Sequence, residues 1–222
     1  MLSRVPNAVS WLLAQRWPPR RDVIPTRNRH ALGRASRMPK GSTSRMRDDH
    51  GYPVRNAVKI VLLNDANELL LMCMDDPTIR SLGKQYGGHF WTLIGGAIEP
   101  NESIRQAAER EIFEETGFTT ADVEIGAHVW FGEMDLVLYD KPTHIRQEFL
   151  VARTKTNDPS LAHLIGREKE VVKKVEWFSL DRIINSGELI YPVRLPEYLP
   201  DVLAGRYSPE PFEIDLAAQA KR

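Results

Sequence analysis

The stretch GAIEPNESIRQAAEREIFEETGF, residues 96–118, decides how the rest of the chain is read. It holds six acidic residues in 23 positions, yet their register is not that of a solvated acidic helix. Gly95-Gly96 and a Pro100-Asn101 turn precede the helix. Ser103 stands where an N-cap belongs, and Gly117 where a C-terminus takes a left-handed residue. Between those caps lie about three and a half turns. At roughly 100° per residue, Ile104, Ala107, Ala108 and Ile112 fall in one apolar arc. Glu111 and Glu115 fall inside that arc, and Glu114 lies on its flank. The helix therefore aims carboxylates from, or beside, the face it should bury.

Unpaired buried carboxylates are costly, and three like charges this close raise some of their own pKa values unless cations neutralise them. An ordinary amphipathic helix would keep its glutamates opposite the apolar face, paired with Arg105 or Arg110. The register argues against that. Hard divalent cations with oxygen ligands answer the charge, Mg²⁺ first and Mn²⁺ second.

The stretch resembles the Nudix box, in which glycine, glutamate, an arginine-glutamate pair, two further glutamates, a second glycine and two apolar residues recur at fixed spacing. Gly96, Glu102, Arg110, Glu111, Ile112, Glu114, Glu115, Gly117 and Phe118 fill every fixed position. The box covers about a tenth of the chain, and a weaker resemblance runs over residues 54–199. The resemblance implies an α/β fold, a Nudix-type α/β/α sandwich with a mixed central sheet. It implies hydrolysis of a pyrophosphate bond in a nucleoside diphosphate linked to another moiety. It makes Glu111, Glu114, Glu115 and the Gly96 carbonyl metal ligands, with Glu114 or Glu115 as the base. Arg110 orients a glutamate, with Glu102 and Glu111 as its partners. A Nudix-fold module that binds nucleotides without turnover is the alternative; degenerate boxes mark such proteins, and this box is intact. The family often has proline before the paired glycines, where this chain has Ile94.

Outside the box, the loop 166–170 precedes a strand. Glu170 is the first candidate there for an extra ligand or base, with Glu168 in reserve; a solvated loop is the plain alternative. Arg80 and Lys84 are candidates to hold phosphate, and Trp91 to stack on a base, as are Tyr86, Trp130 and Phe131. Core packing is the commoner fate of such aromatics. His89, His128 and His144 show no metal-ligand spacing. No subfamily signature matches cleanly: Pro142 and Tyr139 lie beyond the places of the ADP-ribose and dinucleoside-polyphosphate marks. A nucleoside triphosphate or a nucleotide-sugar is the favoured substrate.

At 222 residues and 42% hydrophobic content, the chain suits one domain with appendages. Cys73 is alone, so no intrachain disulfide forms, and a reducing compartment is the simple reading. No apolar run spans a membrane. The zero net charge hides an asymmetry. Residues 1–47 hold 11 Lys+Arg and one acid, leaving the remainder 19 basic and 29 acidic residues. Residues 1–45 read as a disordered basic extension, through an alternative start at Met46 ahead of a transit peptide; a nucleic-acid arm is the third reading. Residues 46–205 read as the catalytic domain and 206–222 as a tail. The expected setting is the cytoplasm, or an organelle matrix if the arm is a leader. The expected partner is a small nucleotide, with neither membrane nor nucleic acid, and a homodimer is compatible.

The strand expectations are residues 56–64 and 68–74 joined by a hairpin turn at 65–67, then 91–94, 123–138 bent or split at Gly132, 145–154 and 171–178. Residues 75–90 read as a loop. Helices are expected at 180–186, capped by Ser179, and within 192–203.

Overall fold

The computed structural model describes residues 51–81, 84–85 and 88–217, with side chains outside 80–87. The expectations for residues 1–45 and for Tyr86 lie outside the described residues, as do the side chains of Arg80 and Lys84.

Among the described residues, ten strands, four α-helices and one 3₁₀ turn follow one another. Strands β1 (Val54–Leu63) and β2 (Leu69–Met74) leave a tight turn in which Asn67 has φ 58°. Two short strands, β3 (Ile79–Ser81) and β4 (Lys84–Gln85), occupy the span expected as a loop, and β5 (Phe90–Leu93) follows. The box helix is α1 (Ile104–Thr116). The long hairpin β6 (Val123–Leu138) and β7 (Lys141–Thr154) comes next, with Tyr139 and Asp140 at positive φ in its turn. A single turn α2 (Glu168–Val171) leads into β8 (Val172–Phe178). The chain then runs through α3 (Leu180–Asn185), β9 (Ile190–Tyr191), α4 (Leu195–Leu203) and β10 (Phe212–Glu213).

The strands form one mixed sheet ordered β4-β3-β6-β7-β1-β2-β5-β9, with β8 on β2 and β10 on β6. β1 runs parallel to β7 along its whole length, from Val54↔His144 to Leu63↔Arg153. β1 and β2 pair only at Leu63↔Leu69 and then diverge. Both are apolar on successive positions rather than alternate ones, as strands covered on two faces are. One core joins Ile60, Leu62 and Met72 to Ala107, Ala108 and Ile112 of α1. The other joins Leu63, Leu71, Trp130 and Phe178 to Ile183 of α3 and Leu195, Leu199 and Val202 of α4. Helix, sheet, helix is thus the layering, an α/β sandwich of the expected class.

A change of partner in the sheet places the site. β5 pairs with β2 up to Leu71↔Leu93. From Ile94 onward the same strand bonds β1 instead: Ile60 N–H donates to Ile94 O and Val58 N–H to Gly96 O, both at 2.9 Å. Gly95 lies at the crossing with φ 121°. A Cβ there would come 2.3 Å from Val58 O, so only glycine fits. The crossing delivers the chain to α1, whose ends are fixed as the sequence indicates. Ser103 Oγ accepts from Gln106 N–H, Gln106 returns the bond in a capping box, and Gly117 closes the helix at φ 74°.

The segment after Gly205 is more than an unstructured tail. Phe212 and Glu213 pair in parallel with Trp130 and Phe131, and Ile214 and Leu216 are buried in the second core. Among the described residues no helix is long and apolar enough to cross a membrane.

Candidate active site

On α1 the buried positions are Ala107, Ala108, Glu111, Ile112, Glu115 and Thr116. Two glutamates therefore sit in the buried arc between helix and sheet, both fully enclosed. Glu168, at the start of α2, reaches the same place and is also buried. One carboxylate oxygen from each of Glu111, Glu115 and Glu168 lies within 4.8 Å of the others.

These groups are under-satisfied. Glu115 Oε2 accepts from Gly95 N–H at 2.7 Å, and Glu168 Oε2 from Ile165 N–H at 3.3 Å. Glu111 Oε1 accepts from Arg110 Nη1 at 2.7 Å. The second oxygen of each, Glu111 Oε2, Glu115 Oε1 and Glu168 Oε1, is buried with no hydrogen-bond partner among the described residues. Burial and then the charges of one another push all three carboxyls well above the usual carboxylate range. Glu114 is also raised, first by burial, and stands at the rim, 3.4 Å from Arg110 Nη1.

Arg110 ties the cluster to the loop before the helix. Its Nε and Nη2 donate to Glu102 Oε1 and Oε2, each at 2.9 Å, in a bidentate fork. Nη2 also donates to Ala97 O at 2.8 Å. Burial opposes the Arg110 charge, but the bonds to Glu102 and Glu111 outweigh it and raise its pKa. On the sheet side, Lys59 is buried and donates from Nζ to Leu93 O at 2.8 Å and Gly95 O at 3.0 Å, carbonyls that flank the change of sheet partner. Burial lowers its pKa to about 7 against the pull of Glu115 and Glu111.

The structure brings Glu111, Glu115 and Arg110 together as expected positions and sets Glu114 beside them. Gly96 is buried next to the cluster, its carbonyl already accepting from Val58 N–H. Glu170 is exposed and stands apart, and Glu168 occupies the cluster in its place. The signal was in the sequence: Glu168 and Val171 are i,i+3 neighbours, so the turn that buries Val171 also buries Glu168 and turns Glu170 outward. Trp91, expected against substrate, is 3% exposed on the opposite face of the sheet. Its ring packs edge-on against Phe178 at 4.6 Å, and its Nε1 donates to Glu188. The strand pleat explains this, since Phe90 faces the α1 core and the next residue must face the other. Trp130 is likewise core, against Phe149 and Tyr198. Sequence reasoning missed Lys59, which reads as one more position in an apolar strand.

A family model described as the NUDIX domain matches residues 53–197. The chain belongs to the Nudix family. It is a Nudix hydrolase, of an enzyme class that acts on phosphoric anhydrides. Relatives include a protein named RNA pyrophosphohydrolase from Yersinia enterocolitica, 39% identical over 173 residues, covering 71% of this chain and 89% of the relative. Another of that name, from Proteus mirabilis, is 29% identical over 169 residues with the same coverage. Among solved structures, the E. coli dihydroneopterin triphosphate pyrophosphohydrolase superposes with TM-score 0.50 over 68% of this chain and 95% of that one, at 14% identity. That likeness concerns the fold alone.

Proposed function

We propose that this Nudix hydrolase cleaves a phosphoric anhydride bond of a 5′-polyphosphorylated nucleotide with a divalent cation, Mg²⁺ or in its place Mn²⁺, held by Glu111 and Glu115 with Glu114 at the rim. The observation that carries the reading is the set of three buried carboxylate oxygens without donors. A donor set made only of carboxylate oxygens suits a hard divalent cation and not a soft one. When bound, such a cation neutralises phosphate charge and lowers the pKa of a water molecule.

The protein's own residues supply the remainder. Glu115 is held by Gly95 N–H, so its free oxygen keeps one direction. Arg110 holds Glu111 by one oxygen and leaves the other open. Gly96 O, with one lone pair given to Val58, can turn the second toward the cluster. Glu168 comes from a separate element and takes the proton of the attacking water on Oε1. Enclosure keeps bulk water from the carboxylates.

The relatives' name, RNA pyrophosphohydrolase, brings an RNA that carries a phosphoric anhydride into the substrate class, beside the nucleoside triphosphates and nucleotide-sugars favoured from sequence. A panel of nucleoside triphosphates, nucleotide-sugars, dinucleoside polyphosphates and 5′-triphosphorylated RNA, supplied with Mg²⁺ or Mn²⁺, tests this by product identification. Metal-dependent release of phosphate, pyrophosphate or a nucleoside monophosphate is the expected result. Binding without cleavage across the panel would turn the reading to a nucleotide-binding module.

A further inference from the structure

Glu168 rides on a helix of one turn that has no side-chain cap at its N-terminus. A single turn does not hold a position by its own hydrogen bonds. What fixes it lies in the β2–β3 connection. Asp76 has a fully enclosed side chain there. Its Oδ1 accepts from Thr78 N–H at 2.9 Å and Thr78 Oγ1–H at 2.7 Å, which sets the carboxylate's plane. The same oxygen accepts from Arg167 Nη2 at 2.8 Å. Arg167 is the residue just before Glu168, and its guanidinium lies 5.3 Å from the ring centroid of Tyr139. At the far end of the turn, Asp75 N–H donates to Val171 O at 2.8 Å. One connection therefore grips α2 at both ends.

From this geometry we infer that Asp76 is a positioning residue, which acts through Arg167 to set where the Glu168 carboxylate stands in the acidic cluster. The inference rests on Glu168 belonging to the hydrolytic site. An ionic grip suits the task. Arg167 presents a planar fork, and the ring of Tyr139 limits its tilt. Asp76 Oδ2 is buried with no partner among the described residues, so the carboxylate has Arg167 as its charged anchor. Removing one member of such a pair strands the other. The cluster demands close placement: one carboxylate oxygen of Glu168 must stay within reach of Glu111 and Glu115 on a different element.

The test uses the full chain with Asp76→Asn, Arg167→Gln, Glu168→Gln and their pairs. Asn keeps the size and the acceptor for Thr78 but loses the charge. Turnover is read with Mg²⁺ on the panel nucleotide cleaved fastest, and amide exchange is read on the metal-free protein. Asp76→Asn is expected to lower kcat about tenfold with KM within about twofold, and in the Glu168→Gln background to cost less than about twofold more. Amide exchange over residues 168–171 is expected to quicken about tenfold while α1 is unchanged. Arg167→Gln, at a partly exposed side chain, gives the same readings where Asp76→Asn does not fold. Equal losses in both backgrounds, or wild-type kcat and exchange in Asp76→Asn beside an impaired Glu168→Gln, would overturn the inference. A fully active Glu168→Gln would instead remove the reading of Glu168 itself.

Discussion

Lys59 donates to the carbonyl of Gly95 at 3.0 Å, and the N–H of that same glycine is committed to Glu115 at 2.7 Å. One peptide position therefore joins a buried cation on β1 to a buried carboxylate on α1. The arrangement exists because the strand leaves β2 for β1 at this point, which frees backbone groups inside the protein. Buried backbone groups need partners, and here side chains supply them.

Gly95→Ala is expected to break this junction. Its φ of 121° costs a non-glycine residue about 1–3 kcal/mol before any clash is counted. A Cβ would also meet Val58 O at 2.3 Å and Ile60 Cδ1 at 2.8 Å, so β1 must move. Urea unfolding should show a loss of at least about 3 kcal/mol, since strain and overpacking add. A wild-type midpoint would contradict the close approach.

Glu115→Gln should separate stability from function. Glu115 is fully enclosed beside Glu111 and Glu168, so a neutral isostere removes like-charge repulsion while its carbonyl oxygen can still accept from Gly95. Metal-free protein at pH 8 is expected to gain on the order of a few kcal/mol, because the wild-type carboxyl, raised to about 8 from 4.5, loses stability as pH rises between those limits. Turnover should fall by about 100-fold or more, since losing a direct ligand costs more than the 10- to 100-fold of losing a ligand-orienting partner. Calorimetry and a rate assay on the same sample check both signs together.

The same groups set a pH dependence. Glu111, Glu115 and Glu168 have folded-state pKa values raised to about 8 from 4.5. Between those limits the folded state holds more protons than the unfolded one, so the stability they contribute is present at low pH and lost as pH rises. Lys59 acts in the opposite sense, but only above about 7. The melting temperature of metal-free protein should therefore fall from pH 5 to pH 7, and Mg²⁺ should restore it most at the upper end. A flat profile, or a steeper fall in Glu115→Gln, would count against the buried carboxylate cage.

Much of this was legible in the sequence where a long, capped element imposed a period. Ser103, Gly117 and the arc of Ala107, Glu111, Ile112 and Glu115 fix one another, so the helix and its inward glutamates could be read directly. Short elements gave less. In α2, four residues long, the one cue is the i,i+3 spacing of Glu168 and Val171, and reading residues 171–178 as strand hides it, so Glu170 stands first in sequence while Glu168 stands in the cluster. The chemistry of Trp91 points to a substrate contact, but the pleat of β5 decides its face. Lys59 was hidden because its partners, Leu93 O and Gly95 O, arise from a long-range change of strand pairing that no local pattern encodes.

Arg110 is expected to resist conservative replacement. Its fork meets both oxygens of Glu102 while also reaching Glu111 and Ala97 O, which a lysine ammonium cannot reproduce from one point. Arg110→Lys should lower metal affinity or turnover about 10- to 100-fold, as loss of a ligand-orienting partner does. Mn²⁺ titration followed by electron paramagnetic resonance reads the affinity directly. Unchanged Mn²⁺ binding and turnover would show that Glu111 keeps its place without the fork.

The C-terminal segment offers a test at a distance from the carboxylates. Leu216 is buried in the second core, and Ile214 N–H donates to Phe131 O at 2.8 Å. The segment lies so close to β6 that a Cβ on Gly132 would come 2.7 Å from both Ile214 O and Leu216 Cγ. Leu216 also lines a cavity of about 50 Å³ with Lys59, Thr92 and Gln147. Leu216→Ala should cost about 2–4 kcal/mol, the usual loss for emptying a buried leucine site. Gly132→Ala should cost a similar amount by displacing the segment rather than by emptying space. Because both changes act through one contact, the double variant should lose less than the sum of the two. Additive losses would mean that Leu216 and Gly132 stabilise the fold independently, and that the segment is not seated on β6 by this contact.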